Sequence, residues 1–209
     1  MIKMGKALNI DIYSDLFMPY FFYKCGCLEV GKCSLQDYAA GLSALKRKTF
    51  QDLTKDYMKI KEKLLIVEYT PPDKDLKRYY YDNNYEDQSD EFKKFYFWLF
   101  EFNVQNKQEK KDRKIPYEIA KFYWEQIFCS YNFIKDLIYF LENEKKIESA
   151  KLDQWNCLLE LVRHCKNSFP NNYNLEDSWP TLFDEFYLWY CKKNAIELQM
   201  PEEYLGNFN

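Results

Sequence analysis

Apolar residues recur at helical spacing in two neighbouring segments within residues 152–190, and this pattern constrains the fold more than any other feature. The recurring residues are Trp155, Leu158, Leu159 and Val162 in the first segment, and Trp179, Leu182, Phe183, Phe186 and Tyr190 in the second. At about 100° per residue, each set forms one stripe along a helix. The two stripes should face a shared core, so the sequence predicts a pair of amphipathic helices.

The ends and the polar faces of these two helices can also be predicted. Ser149 is expected to cap the first helix and Asp177 the second. Pro180 is tolerated there because the first turn of a helix has no intrahelical donors to lose. Asp153 lies roughly opposite the first stripe, and Asp184 lies well outside the second. Both carboxylates are therefore expected to face water.

The rest of the chain also favours helices. Apolar residues recur at helical spacing in residues 12–24, 34–45, 49–65, 92–103, 116–127 and 133–141. Ser34 with Asp37, and Thr49 with Asp52, have the spacing of a capping box. No stretch alternates convincingly with period two, and only 5 Gly and 7 Pro are available for tight turns. The predicted fold class is all-α.

Residues 69–91 separate the helical segments into two groups. Pro71 and Pro72 should stop the preceding helix, and residues 82–91 are polar and acidic. We therefore expect an N-terminal helical lobe over residues 1–68, a linker or surface loop over 69–91, a C-terminal helical lobe over 92–195 and a tail over 196–209. The three consecutive tyrosines at 79–81 leave open that the linker binds a partner.

Composition disfavours several classes of protein. The 30 basic and 33 acidic residues give a net charge of −3, which offers no basic excess for a phosphate backbone, so no nucleic-acid partner is expected. No window approaches the roughly 20 uncharged apolar residues of a membrane span, and the N-terminus lacks the apolar core of a signal peptide. Seven Cys, an odd number without a secretory signal, favour reduced thiols in the cytoplasm or nucleus.

Cysteine and histidine spacing predicts no metal site and no cofactor. Cys25, Cys27 and Cys33 are close in sequence, but structural zinc usually takes four ligands, and a fourth ligand is missing nearby. Buried thiols are therefore expected. A catalytic cysteine needs a base that lowers its pKa. The single histidine, His164, precedes Cys165 but is expected on the exposed side of its helix, so a Cys–His dyad is not expected.

Several sequence blocks resemble one known family. Residues 152–156, 171–173 and 177–186 resemble the C-terminal signature of the defective-in-cullin-neddylation family, which is also called the PONY domain. Residues 34–42, 92–96, 100–102 and 120–124 resemble further blocks of the same family. The resemblance covers about residues 8–195. The first lobe of the family has a preceding helix without a counterpart here, which is compatible with a truncated gene model or a shortened lobe.

The resemblance implies both a fold and a function. The fold would be two EF-hand-like helical lobes that bind no calcium. The function would be that of a scaffold co-ligase for neddylation, the attachment of a ubiquitin-like modifier to cullins. Such a scaffold bridges the modifier's conjugating enzyme and the C-terminal winged-helix region of the cullin, with no covalent intermediate, and we expect a monomer. The alternatives are a helical interaction module with an unrelated partner and a cysteine-dependent transferase.

Carried over residue by residue, the resemblance implies two binding sites. The cullin-binding acidic patch falls on Asp153, Ser178 and Asp184, where Ser178 replaces an alanine of the family. The pocket for the acetylated N-terminal Met of the conjugating enzyme falls on Met18, Phe21, Phe102 and Tyr123. Cys33 and Tyr23 stand where the family has Phe and Trp, so the pocket is expected to be reshaped.

Overall fold

The computed structural model describes residues 16–49, 52, 91–104 and 112–197. The chain divides into two compact units, Met1–Ile115 and Pro116–Asn209. Each unit contains fully buried aromatic side chains, such as Phe95 in the first and Trp155 in the second. Each therefore has an apolar core of its own.

The first unit contains three described helices. These are α1 (Phe17–Lys24), α2 (Leu35–Ala44) and α3 (Glu91–Asn103). The ring of Tyr20 on α1 meets that of Phe95 on α3 edge-on, with centroids 5.8 Å apart. The rings of Tyr23 and Trp98 lie 5.5 Å apart across the same pair of helices. These contacts explain why α3 groups with α1, whereas the sequence placed it in the C-terminal lobe.

The predicted capping devices of the first unit are present. The Asp37 N–H donates to Ser34 Oγ at 3.1 Å, and the Ser34 N–H donates to Asp37 Oδ2 at 2.8 Å. The Asp52 N–H likewise donates to Thr49 Oγ1 at 3.1 Å. Ser34 therefore begins α2 with a capping box. The helix predicted after Thr49, and the linker predicted over residues 69–91, lie outside the described residues except for Asp52 and Glu91.

The second unit contains four helices in its described part. These are α4 (Tyr117–Phe128), α5 (Phe133–Tyr139), α6 (Leu152–Cys165) and α7 (Thr181–Lys193). A π-helical turn, Phe140–Glu144, continues α5, and a 3₁₀ turn, Lys166–Ser168, follows α6. The only strands in the described ranges are β1 (Lys114–Pro116) and β2 (Ser149–Lys151), which form a two-stranded sheet. The prediction of an all-α fold is confirmed.

The core of the second unit is aromatic. Trp155 on α6 is fully buried, and its ring lies 5.7 Å from that of Trp124 on α4. Phe186 on α7 stacks on Phe169 at 5.3 Å and lies 5.6 Å from Phe140. The predicted stripe of α6 is buried along its whole length. On α7 the stripe is narrower, because Leu182 and Tyr190 are half-buried and Trp179 precedes the helix.

Both predicted caps of the amphipathic pair are wrong. Ser149 lies in β2, and the start of α6 is closed instead by a hydrogen bond of 3.0 Å from the Lys151 N–H to Gln154 Oε1. At α7 the N-cap position is occupied by Pro180, without a side-chain cap. Asp177 lies too early, and its carbonyl accepts the Trp179 N–H at 2.8 Å. The strand before α6 and the irregular connection before α7 moved the caps from their predicted positions.

Two expectations about architecture stay predictions. The first is the EF-hand-like arrangement of the lobes, and the second is the set of boundaries at residues 68, 91 and 195. No helix in the described part of the chain combines the length and apolarity needed to cross a bilayer.

Candidate functional site

Asp153 lies in the first turn of α6 and is exposed, as predicted. Its Oδ1 accepts a long hydrogen bond of 3.7 Å from the Cys157 thiol, one turn along the helix. A carboxylate in the first turn also interacts favourably with the positive end of the helix dipole. Asp153 therefore presents a negative charge to solvent at a defined place, the beginning of α6.

Asp184 is held by a neighbour, which the sequence did not predict. It lies in the first turn of α7 and is only half-exposed. The Tyr173 hydroxyl donates to Asp184 Oδ1 at 2.6 Å. Burial raises the pKa of Asp184 and outweighs the opposite effect of the Tyr173 hydrogen bond, while Glu185 adds to the rise. Asp184 therefore faces water in part, whereas the sequence predicted a carboxylate on the exposed side of its helix.

Tyr173 belongs to an aromatic stack that fixes the side of α7 where Asp184 lies. Its ring lies 4.8 Å from that of Tyr187 and 5.8 Å from that of Trp179, and both pairs are stacked. Burial raises the pKa of Tyr173, and the hydrogen bond to Asp184 raises it further. The hydroxyl therefore stays protonated and donates to the carboxylate. The only sequence signal for this role was the Asn171-Asn172-Tyr173 block of the family resemblance.

Ser178 lies in the connection between α6 and α7 and is exposed. A hydrogen bond of 3.3 Å from the Asp177 N–H to the Asn174 carbonyl closes a turn just before it. Ser178 follows the Tyr173 anchor by five residues and precedes Asp184 by six. All three predicted residues of the acidic patch therefore lie in the second unit, and each has accessible surface.

The predicted pocket residues fall in both units. Met18, Phe21 and Phe102 come together in the first unit, in one buried apolar cluster. The ring of Phe102 stacks on that of Trp98 at 4.5 Å. Tyr123 lies on α4 in the second unit, where its ring meets that of Trp155 edge-on at 6.2 Å. The first three side chains thus form part of a packed core.

A second group of side chains stands out in the first unit. The sulfur atoms of Cys25, Cys27 and Cys33 all lie within 4.8 Å of one another. Cys25 and Cys27 are buried, and Cys33 is exposed. Burial raises the pKa of Cys25 and of Cys27 to about 12, and Cys33 and Asp37 add to both rises. The sequence expected buried thiols here and did not predict that the three sulfur atoms converge.

The structure gives little support to a cysteine nucleophile at His164. Cys165 is fully buried, and burial raises its pKa to about 12. His164 is exposed, as predicted, and its Nε2 lies 2.8 Å from the Asn172 carbonyl oxygen. Burial also raises the pKa of Cys157 to about 12, with a further contribution from Asp153. A nucleophilic thiol needs the opposite shift.

Comparison with known proteins identifies the family. A family profile described as cullin binding matches residues 74–189. DCN1-like protein 3 of Rattus norvegicus is 30% identical over 115 residues, which are 54% of this chain and 37% of that protein. The Homo sapiens protein of the same name is 30% identical over 113 residues, 53% of this chain and 36% of that protein. The matched part of the chain therefore spans little more than a third of the length of these relatives.

The matched region includes most of the predicted site residues. Asp153, Ser178 and Asp184 lie inside residues 74–189, whereas Met18 and Phe21 lie outside them. The same region contains the Tyr173 anchor. Because the match covers more than half of the sequence, the chain belongs to the cullin-binding family, which is the defective-in-cullin-neddylation or PONY-domain family.

Proposed function

We propose that the chain is a non-catalytic scaffold that promotes neddylation of cullins. It would hold the C-terminal winged-helix region of a cullin while it also binds the modifier's conjugating enzyme. Holding both proteins together replaces a bimolecular encounter by an oriented one, which raises the rate of modifier transfer without a covalent intermediate on the scaffold. We expect it to act as a monomer, in the cytoplasm or nucleus, where its seven free thiols would stay reduced.

One observation carries the cullin part of the proposal. Within the region that matches the cullin-binding profile, Asp153 and Ser178 are exposed, and Asp184 is aimed by the Tyr173 hydroxyl. A carboxylate held in one orientation loses less side-chain entropy when it pairs with a Lys or Arg of a partner. Asp184 would therefore be the main contact of the acidic patch, with Asp153 adding charge at the start of α6.

The conjugating-enzyme part of the proposal has a narrower basis. Met18, Phe21 and Phe102 lie in one apolar cluster. The apolar side chains of Leu28 and Val30, a few residues after Phe21 in the sequence, are exposed. Because the three side chains of the cluster are buried, the cluster would have to open to admit an apolar N-terminal Met, which would then pack against side chains of the same character. Met18 is the cleaner probe of this pocket, because Phe102 also stacks on Trp98.

The scaffold proposal can be separated from a thiol-dependent transferase. In a reconstituted transfer reaction, the purified chain should raise the rate of modifier transfer to a cullin fragment. The chain is then alkylated at its accessible thiols under native conditions, freed of reagent, and added to untreated enzyme and cullin. A scaffold should keep its cullin binding, because exposed Cys33 and Cys129 lie outside the acidic patch, and it should keep its stimulation wherever binding of the conjugating enzyme is also kept. Loss of stimulation with unchanged binding of both the cullin and the conjugating enzyme would favour the transferase.

Binding to the cullin fragment also separates the proposal from an interaction module with an unrelated partner. The chain should bind a recombinant cullin C-terminal fragment directly, and binding should weaken as salt is raised, since charge pairs between exposed groups are screened. A folded chain that shows no binding to cullin fragments at low salt would contradict the proposal.

A further inference from the structure

Two helix-end motifs bring three cysteines of the first unit together. Cys25 is the C-cap of α1, and Gly26 follows with a φ of +69°, a left-handed conformation that favours glycine. The Gly26 N–H donates to the Tyr23 carbonyl at 3.0 Å, and the Cys27 N–H donates to the Phe22 carbonyl at 3.0 Å. This pair of bonds is the Schellman motif. It fixes the backbone of Cys25 and Cys27 in a tight reversal.

The third cysteine is placed by the next helix. Cys33 directly precedes Ser34, the N-cap of α2, whose capping box with Asp37 sets the direction from which the chain enters the helix. The loop between the motifs is also held from a third side, because Trp98 Nε1 on α3 donates to the Cys27 carbonyl at 2.9 Å. The positions of all three cysteines are therefore determined by backbone motifs, and not by chance rotamers of a free loop.

Glycine at position 41 makes room for this arrangement. A Cβ added to Gly41 on α2 would lie 2.3 Å from Cys25 Sγ and 3.2 Å from the Cys25 backbone. The absence of a side chain at Gly41 thus lets α2 approach the C-cap of α1 closely. The Cys25 sulfur occupies the space against α2, within reach of the sulfur atoms of Cys27 and Cys33.

We propose that Cys25, Cys27 and Cys33 bind a thiophilic metal ion, with Zn²⁺ as the expected ion. Three thiolates bound to zinc at about 2.3 Å lie roughly 3.8 Å apart. The present separations, all within 4.8 Å, need only small side-chain rotations to reach that spacing. From the sequence we expected no metal site, because no fourth ligand lies near these three cysteines in the sequence. The three sulfur atoms supply three of the four ligands. A water molecule can supply the fourth beside Cys33, which is exposed.

Ligand type and charge favour this ion. Thiolate sulfur selects soft cations, among them Zn²⁺ and Cu⁺. Three thiolates leave a net charge of −1 around Zn²⁺ and of −2 around Cu⁺. The smaller residual charge suits a site in which two of three sulfurs are buried, because burying charge is costly. On binding, each thiol gives its proton to water, so the chain exchanges three protons for one ion.

The test uses the full chain, reduced and freed of metal. The affinity for Zn²⁺ is measured by competition with a chromophoric chelator, and Co²⁺ serves as a spectroscopic probe through its thiolate charge-transfer bands. Cu⁺ is titrated separately under a non-thiol reductant. The decisive variant is Cys33→Ser, because Cys33 is exposed and its loss should leave the fold intact. The matched control is Cys129→Ser, an exposed thiol of the second unit.

The wild-type chain should bind one ion, and its melting temperature should rise with added Zn²⁺. Loss of a residue that only orients a metal ligand costs roughly 10–100-fold in metal affinity. Cys33→Ser removes a ligand itself, so its affinity for Zn²⁺ should fall by more than that. Its cobalt complex should also lack the thiolate charge-transfer bands. Cys129→Ser should behave as wild type. Binding of Cu⁺ alone, lost in Cys33→Ser, would support the trithiolate site with a different ion. No uptake of either ion, or equal affinity in both variants, would overturn the proposal.

Discussion

At the scale of single residues, the hydrogen bond between Tyr173 and Asp184 determines how the acidic patch is presented. Two effects act in opposite directions on the pKa of the Asp184 carboxylate. Burial raises its pKa, which favours the protonated form, while the Tyr173 hydroxyl favours the charged form. Binding of a cullin by the proposed acidic patch would depend on the charged form. Tyr173 thus acts as a positioning residue for Asp184, and it does so through a bond of 2.6 Å within a fixed aromatic stack.

Replacing this hydroxyl gives the first prediction. Tyr173→Phe removes the effect that lowers the Asp184 pKa, so this pKa should rise further, as measured by carboxyl NMR during a pH titration. Cullin binding should weaken, because the carboxylate is no longer aimed. A hydrogen bond to a charged group contributes roughly 1.5–3 kcal/mol, and the partial exposure of Asp184 weakens this one, so the free energy of unfolding should fall by about 1–2 kcal/mol. Tyr139→Phe, at an exposed ring stacked on Trp189, is the control.

The same pair predicts a direction of pH dependence. The Asp184 pKa is raised in the folded state, so the stabilisation linked to its protonation is fully present below the unfolded-state pKa of about 3.9 and is lost as pH rises through the folded-state pKa. Relative to Asp184→Asn, wild type should therefore gain stability as pH falls through that range. A constant difference between the two melting curves across the same pH range would contradict this assignment.

At the scale of secondary-structure elements, the close approach of α1 and α2 depends on Gly41. Ala in place of Gly would ordinarily stabilise an exposed helix by roughly 0.5–1 kcal/mol. Here the added methyl group would lie 2.3 Å from the Cys25 sulfur and 3.2 Å from Cys25 backbone atoms. Overpacking of this kind typically costs about 1–3 kcal/mol. The clash should outweigh the gain in helix propensity.

Gly41→Ala should therefore lower the free energy of unfolding by about 1–2 kcal/mol, measured by denaturant titration. Cys25→Ala in the same chain removes the sulfur that clashes, so the double variant should recover part of this loss. Ser43→Ala, an exposed position on the same helix, should be nearly neutral. A Gly41→Ala chain as stable as the Ser43→Ala chain would show that the two helices are not held this close in solution.

Helical periodicity predicted most elements because it records which face each helix buries. The helices predicted at residues 92–103 and 116–127 were found within a few residues, and Trp155, Leu158 and Val162 of the predicted amphipathic pair are buried as expected. The helix starts were predicted less well. Ser149 was a plausible cap in sequence, but residues 149–151 pair as a strand. A cap depends on the backbone direction before the helix, which periodicity does not describe.

At the scale of the whole molecule, composition and periodicity predicted the fold class but not the sites. Asp153 and Asp184 are ordinary helix residues by pattern, and only the family resemblance singled them out. That resemblance did not predict that Asp184 is tied to Tyr173, since a contact between residues eleven apart depends on the path of the connection. The sequence likewise did not predict that the sulfur atom of Cys33 lies close to those of Cys25 and Cys27. That proximity also depends on the path of the backbone, which is set by the reversal at Gly26 and the cap at Ser34.

The central claim is that the acidic patch binds a cullin. The change is Asp184→Lys, alone and with Asp153→Lys, and the measurement is the affinity for a cullin C-terminal fragment, alongside thermal melts. Asp184→Asn accompanies them, because it keeps an oxygen that can accept the Tyr173 bond. Glu125→Lys with Glu144→Lys is the control: it makes the same change in net charge at two exposed positions outside the patch.

The double reversal at Asp153 and Asp184 should cost roughly 2–5 kcal/mol of binding free energy, the range for a desolvated charge pair broken on one side. Asp184→Asn should lose a smaller part of the affinity and stay folded, and the control double variant should bind like wild type. Asp153→Lys should lower the free energy of unfolding by about 1 kcal/mol or less, because it replaces a favourable interaction with the helix dipole by an unfavourable one. A folded Asp153→Lys, Asp184→Lys chain that binds the cullin fragment as tightly as wild type would contradict the account.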